Sequence, residues 1–271
     1  LVRIILALLI GVGLGLAGAV FQTISRNDLA SPSILGVNAG AGLGVILLVY
    51  FLNSDTALSM WALALVALVG GLATAGLIYR LAYHKGQVLN PQSLILTGIA
   101  IAIQMLLIVR LDPNKFHVVN TWIIGSIANN SWAHVALLAP VVIILGLLLW
   151  ARYMDLNILN LADETAIGLG LSINRARFLY LFLAVILATM CVAVGGNIAF
   201  VGLIAPHIAR RLVGTNHIYS LPITALAGAI LLVGADWFGR SVLAPDEILI
   251  GIVVAMIGAP YFLYILAKTK A

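Results

Sequence analysis

Two neighbouring carboxylates, Asp163 and Glu164, stand in the longest break between the apolar runs of the chain, Arg152–Phe178, with Arg152 before them and Arg175 and Arg177 after. Acidic residues at the start of a short helix are favoured by the helix dipole, and flanking arginines hold such a segment at a membrane surface. The chemistry this pattern offers is charge-guided docking. It lacks the convergent nucleophile, base and oxyanion donors that bond-breaking requires. The stretch is also far longer than a connection between two membrane spans needs to be. It reads as a folded surface for a partner.

The other residues able to do chemistry are dispersed. His84, His117, His134, His207 and His217 share no ligand spacing, and there is neither an HExxH motif nor a Cys/His cluster, so no metal site or cofactor is expected. Cys191, the single cysteine, lies in an apolar run, can form no internal disulfide, and reads as a small packing residue. Gly13, Gly15 and Gly18 spell the dinucleotide pattern GxGxxG, yet no strand precedes them and they sit inside an apolar run. Gly11 with Gly15, and Gly40 with Gly44, are spaced four apart and favour close helix approach. No GxxxxGK[ST] loop occurs, so ATP is not expected to bind through a Walker A site.

Three polar clusters remain. Asp236 lies inside an apolar segment with Arg240 one turn later, spaced for an i,i+4 pair; a structural ion pair and a functional one are both open. Gln22, Arg26, Asn27, Asp28, Ser31, Pro32 and Ser33 form a loop whose Ser, Asn and Asp residues suit capping of a helix that starts after Pro32. Pro206 interrupts a third segment beside His207, which either lines a pathway or makes a structural hydrogen bond.

The elements that position these residues are membrane helices. Of the 271 residues, 63% are hydrophobic and only 8% charged, against about 25% charged in a soluble domain. The expected fold is an all-α polytopic bundle forming one transmembrane domain, 1–271, with a cytoplasmic loop at 152–177. Nine spans are predicted, roughly at 2–22, 34–52, 58–81, 92–110, 133–151, 176–194, 197–213, 221–239 and 247–267, with Pro32, Pro91, Pro222 and Pro245 marking junctions. With the C-terminus in the cytoplasm, that side collects ten cations: Arg26, Arg80, Lys85, Arg152, Arg175, Arg177, Arg210, Arg211, Lys268 and Lys270. Arg3, Arg110, Lys115 and Arg240 fall outside, a positive-inside bias of ten to four. The net charge of +5 therefore reflects loops beside lipid and does not call for a nucleic-acid partner. With nine spans Leu1 lies outside, and one further helix before it is expected. Four spans either side of the fifth run in opposite senses, the layout of an inverted repeat.

Read together, these segments resemble the FecCD family of ABC-importer permeases. The resemblance is carried by Gly18-Ala-Val-Phe21-Gln22, by Arg26-Asn27-Asp28-Leu29-Ala30-Ser31-Pro32, and by Leu35-Gly36-Val37-Asn38-Ala39-Gly40-Ala41. It continues through Leu96-Thr97-Gly98, Trp122 with Gly125-Ser126, and Asp163-Glu164-Thr165-Ala166 with Leu169-Gly170. Its most specific blocks are Phe200–Arg210, around Pro206-His207, and Leu249-Ile250-Gly251 with Gly258-Ala259-Pro260. Asp28 stands where the family usually has proline, and the family's first helix has no counterpart here, ten spans being its norm.

The resemblance implies a permease subunit in a bacterial plasma membrane, paired with an identical or different second permease above a dimer of cytoplasmic ATPase subunits. A binding protein outside the membrane would deliver a ferric siderophore, with haem or cobalamin as alternatives. It assigns ATPase coupling to Leu161, Asp163, Glu164, Thr165, Ala166, Gly168 and Gly170, and binding-protein docking to Arg3 and Arg240. Gln22, Asn27, Pro32, Asn38, Pro206 and His207 fall in its pathway or structural motifs. From another class, an ion-coupled secondary transporter needs acidic groups near the bilayer midplane, and these are scarce here.

Overall fold

A backbone inside a bilayer must satisfy its own hydrogen bonds, and an apolar chain does so as helices. The computed structural model describes residues 1–33, 36–51, 60–83, 91–111, 113–128, 130–243 and 246–269. Among them are twelve helices and no strand: α1 (Val2–Ser25), α2 (Val37–Phe51), α3 (Met60–Tyr83), α4 (Pro91–Ile108), α5 (Pro113–Ile124), α6 (Trp132–Ala151), α7 (Tyr153–Leu159), α8 (Asp163–Gly168), α9 (Ile173–Gly195), α10 (Val201–Val213), α11 (His217–Val242) and α12 (Ile250–Thr269). Leu35, His84, Lys85, Pro245 and Lys270 lie outside the described residues.

Every predicted span contains a helix, and α5, α7 and α8 are additional short helices in the connections. Not all nine are full crossings on their own. Among the described residues, five helices are long and apolar enough to cross a membrane: Val2–Ser25, Trp132–Ala151, Ile173–Gly195, His217–Val242 and Ile250–Lys268. Val37–Phe51, Trp61–Leu77 and Thr97–Ile108 are shorter apolar helical stretches. The 13 residues of α10 reach only about 20 Å, against a hydrocarbon core of about 30 Å.

The brevity of α2 and α10 has a physical cause. Both begin after irregular turns sunk inside the bundle. α1 forms the buried centre, and Gly18 on it abuts the Gly202 main chain so closely that no side chain fits between them. Pro32 packs beside Gly202 as well, so the chain leaving α1 climbs back about two helical turns before α2 starts. The α2 helix therefore begins at Val37, later than the capping pattern predicts; Asn27 instead accepts the Leu29 N–H at 2.8 Å within the loop. The second turn lies between α9 and α10, where Gly196 (φ 76°) and Phe200 (φ 65°) adopt left-handed conformations.

Irregular backbone is tolerated at this depth because protein groups satisfy it. The Asn197 N–H donates to the Trp122 carbonyl at 3.3 Å. Asn38 Nδ2 donates to Asn197 Oδ1 (2.9 Å) and Ser33 Oγ (3.0 Å), tying the two buried turns together. At the centre α1 also meets α11 through Gly11 and Gly228, whose main chains touch. These contacts place the ends of α1, α9, α10 and α11 nearest residues 152–172 at one face of the bundle, the loop face.

Candidate functional site

At the loop face, α7 and α8 cover the ends of α1, α9 and α11. Asp163 and Glu164 occupy the first turn of α8. The Asp163 carboxylate accepts from Arg26 at 2.5 Å and Arg177 at 2.8 Å, so one acid joins the end of α1 to the start of α9. Arg26 also donates to the carbonyls of Leu159 (3.2 Å) and Leu161. Burial pushes the Asp163 carboxyl upward, but the hydrogen bonds from Arg177 and Arg26 outweigh it and hold the group below its ordinary range. Gly170 (φ 84°) lets the chain turn back, and the Leu171 N–H closes the turn on the Ala166 carbonyl at 3.1 Å.

Clamped this way, α8 buries Ala166 and presents Glu164, Thr165, Ile167, Gly168 and Leu169 outward. Leu161, Ile167 and Leu169 are 42%, 64% and 59% exposed. An apolar patch with an acidic rim, outside the membrane-spanning segments, has the character of a protein-docking surface.

Beside it, Gln22, Arg26, Asp28, His207, Arg210 and Arg211 line a polar cavity of about 620 Å³. Arg210 pairs with Asp28 at 3.1 Å and donates to Gln22 Oε1. His207 Nε2 accepts from Arg211 at 3.1 Å, and its ring meets Tyr261 edge-on. Pro206 is buried inside α10.

The opposite end of the α1–α11 pair carries a second ionic cluster. Asp236, essentially buried, accepts from Arg3 at 2.5 Å and from Arg240 at 3.0 Å. Arg3 also reaches Glu247, 2.7 Å away in the segment leading into α12. The Arg240 side chain is 41% exposed and that of Arg3 only 20%. Among the described residues, no group of three or more His, Cys, Asp or Glu is placed to hold a metal.

The sequence model of the FecCD transport family matches residues 1–268. The chain belongs to the FecCD transport family. It is 43% identical to the iron(3+)-hydroxamate import system permease protein FhuG of Bacillus subtilis (strain 168), over 99% of this chain and 82% of that one. It is 34% identical to the ferric enterobactin transport system permease protein FepG of Escherichia coli (strain K12), over 98% of this chain and 80% of that one. A solved metal-chelate type ABC transporter in an inward-facing conformation matches with a TM-score of 0.88 at 34% identity, over 98% of this chain and 85% of that chain.

Within this FecCD permease the sequence-predicted residues fall into three places. Leu161, Asp163, Glu164, Thr165, Ala166, Gly168 and Gly170 lie together in the loop-face segment, with Ala166 buried and Asp163 held by Arg26 and Arg177. Gln22 and His207 meet at the cavity, while Asn27, Pro32 and Asn38 belong to the first buried turn and Pro206 to the interior of α10. Arg3 and Arg240 converge on Asp236, realising the i,i+4 pair. Sequence reasoning did not single out Asn157, His217, Thr23 or Glu247. All four sit at helix ends or in connections, where polar residues are ordinary, and the only available signal was their position next to a span boundary.

Proposed function

We propose that this FecCD permease forms, with a second permease subunit, the membrane pathway of an ABC importer for a ferric siderophore complex. The loop face lies in the cytoplasm and docks an ATPase subunit that supplies the energy; the Arg3–Asp236–Arg240–Glu247 cluster lies outside and meets a binding protein that delivers the cargo. The observation that carries this reading is the α8 surface: a short helix clamped through Asp163, with exposed Leu161, Ile167, Leu169 and Glu164. The names of the relatives, which specify hydroxamate and enterobactin iron complexes, support a siderophore as cargo.

Clamping matters because a coupling element must transmit force without deforming. Outside, charge-assisted pairs set docking register and on-rate more than affinity. The test uses the chain reconstituted with the ATPase subunit and binding protein that co-purify with it. Glu164→Lys is expected to weaken ATPase co-purification and cargo-stimulated ATP hydrolysis while leaving binding-protein contact intact. Uptake that persists in vesicles without an ATPase subunit, driven by an ion gradient, overturns the reading. The ligand carried by the co-purifying binding protein identifies the cargo.

A further inference from the structure

The α1–α11 pair joins the two proposed docking ends. α11 has 26 residues and is about 39 Å long at 1.5 Å per residue. Gly11 touches Gly228, and Gly15 lies against the Thr224 carbonyl, so the two backbones are too close to slide past side chains. At the outer end the pair holds Arg3, Asp236 and Arg240. At the loop end it is joined to α7 through side-chain hydrogen bonds that the α8 clamp does not use.

That junction is built around His217, which is 4% exposed. Asn157 Oδ1, on α7, lies 2.9 Å from the His217 main-chain nitrogen and 2.7 Å from its ring Nδ1. Asn157 Nδ2 donates to Asn216 Oδ1 at 2.9 Å, and that oxygen also accepts from the Ile218 N–H, capping α11. On the far side of the ring, His217 Nε2 lies 2.8 Å from the Thr23 hydroxyl on α1. The Asn157 amide oxygen accepts a hydrogen bond from Nδ1–H, which fixes the tautomer and leaves Nε2 as an acceptor facing the Thr23 hydroxyl. The one hydrogen of that hydroxyl is shared between Nε2 and the Ala19 carbonyl 2.9 Å away. One imidazole thus bridges three elements in a buried setting, where hydrogen bonds are directional and costly to leave unmade.

We propose that Asn157, His217 and Thr23 are positioning residues of the transport cycle. They lock α7 to the α1–α11 pair, so a displacement of the ATPase-facing loop is delivered as a rigid-body movement to the Arg3–Asp236–Arg240 end, and docking there is delivered back. This rests on the permease reading above.

The experiment uses the full complex: the chain, its co-purifying ATPase subunits and the cargo-loaded binding protein, in lipid nanodiscs. Two quantities are read, ATPase co-purification and the ratio of binding-protein-stimulated to basal ATP hydrolysis. Asn157→Ala, His217→Ala and the near-isosteric Thr23→Val are each expected to lower the stimulation ratio about five-fold, the scale of one lost buried hydrogen bond. Co-purification is retained, Thr23→Ser keeps the wild-type ratio, and Asn157→Ala combined with His217→Ala is no worse than either alone. An unchanged ratio in Asn157→Ala, or additive losses in the double variant, overturns the relay. Loss of co-purification in parallel with stimulation assigns the residues to folding alone and also overturns it. A wild-type chain that captures no ATPase subunit defeats the permease reading itself, a distinguishable failure.

Discussion

At the scale of single residues, Asp163 takes two guanidinium groups and Asp236 takes two more, yet the pairs differ in what they do. Asp163 is 46% exposed and receives Arg26 and Arg177. Because its carboxyl titrates below the ordinary carboxylate range, the clamp is present above that range and is lost only as pH falls through the lower, folded-state value. Asp163→Asn is therefore expected to reduce ATPase co-purification by the same factor from pH 5 to pH 8. A deficit that disappears toward pH 5 contradicts this assignment. Asp236, by contrast, is 1% exposed and depends on Arg3, whose side chain is largely buried between it and Glu247. Arg3→Ala removes two pairs and leaves Asp236 with Arg240 alone, a destabilisation on the order of 2–3 kcal/mol. Arg240→Ala is expected to lower the thermal midpoint less but to slow binding-protein association more. Equal midpoints for the two variants, measured by thermal unfolding in detergent, refute this division.

At the scale of elements, the architecture depends on places where helices touch through main chain. Gly18 and Gly202 bring α1 and α10 into backbone contact, and a methyl group on Gly18 meets Gly202 atoms that have nowhere to go. Gly18→Ala is expected to cost about 1–3 kcal/mol through overpacking, seen as a lower thermal midpoint, whereas Gly168→Ala, which meets nothing within 4 Å, leaves the midpoint within error. The Gly11–Gly15 and Gly40–Gly44 spacings made close helix approach legible from sequence, because small residues four apart share one helix face. The positions of the apolar helices were also legible, since hydropathy reports what faces lipid, but among the described residues only five are long and apolar enough to cross on their own. Hydropathy cannot report depth. The turns at 30–33 and 196–200 lie inside the bundle, and the second is held by Trp122 and Asn38, partners distant in sequence. The sequence read as a short connection followed by a full span; the structure has a buried turn followed by a helix of 13 residues. The partners of Arg3 and His217 were hidden for the same reason, being 244 and 194 residues away for Glu247 and Thr23.

At the scale of the whole molecule, the two ends differ in charge, and that difference predicts which side each faces. Among the described residues, Arg26, Arg177, Arg210 and Arg211 gather at the loop face with Asp28 and Asp163 as their ion-pair partners, while Arg3 and Arg240 at the other end are matched by Asp236 and Glu247. The C-terminal end of α12 runs toward the loop face, because the Tyr261 ring meets His207 at the loop-face cavity and the helix continues to Thr269. Excess cations remain on the cytoplasmic side of a membrane, so Thr165 and Lys268 should face inward and Asp246 outward. The chain is suited to testing this by thiol labelling, since Cys191 is buried and its thiol inaccessible. A membrane-impermeant maleimide is expected to modify Asp246→Cys in intact cells, and Thr165→Cys and Lys268→Cys only in inverted vesicles, with the parent chain unlabelled in both. The reverse pattern places α8 where no cytoplasmic ATP or ATPase exists. The Asp163 clamp, the exposed leucines and the His217 junction would then need a partner outside the cell, and ATP-driven import would lose its structural basis in this chain.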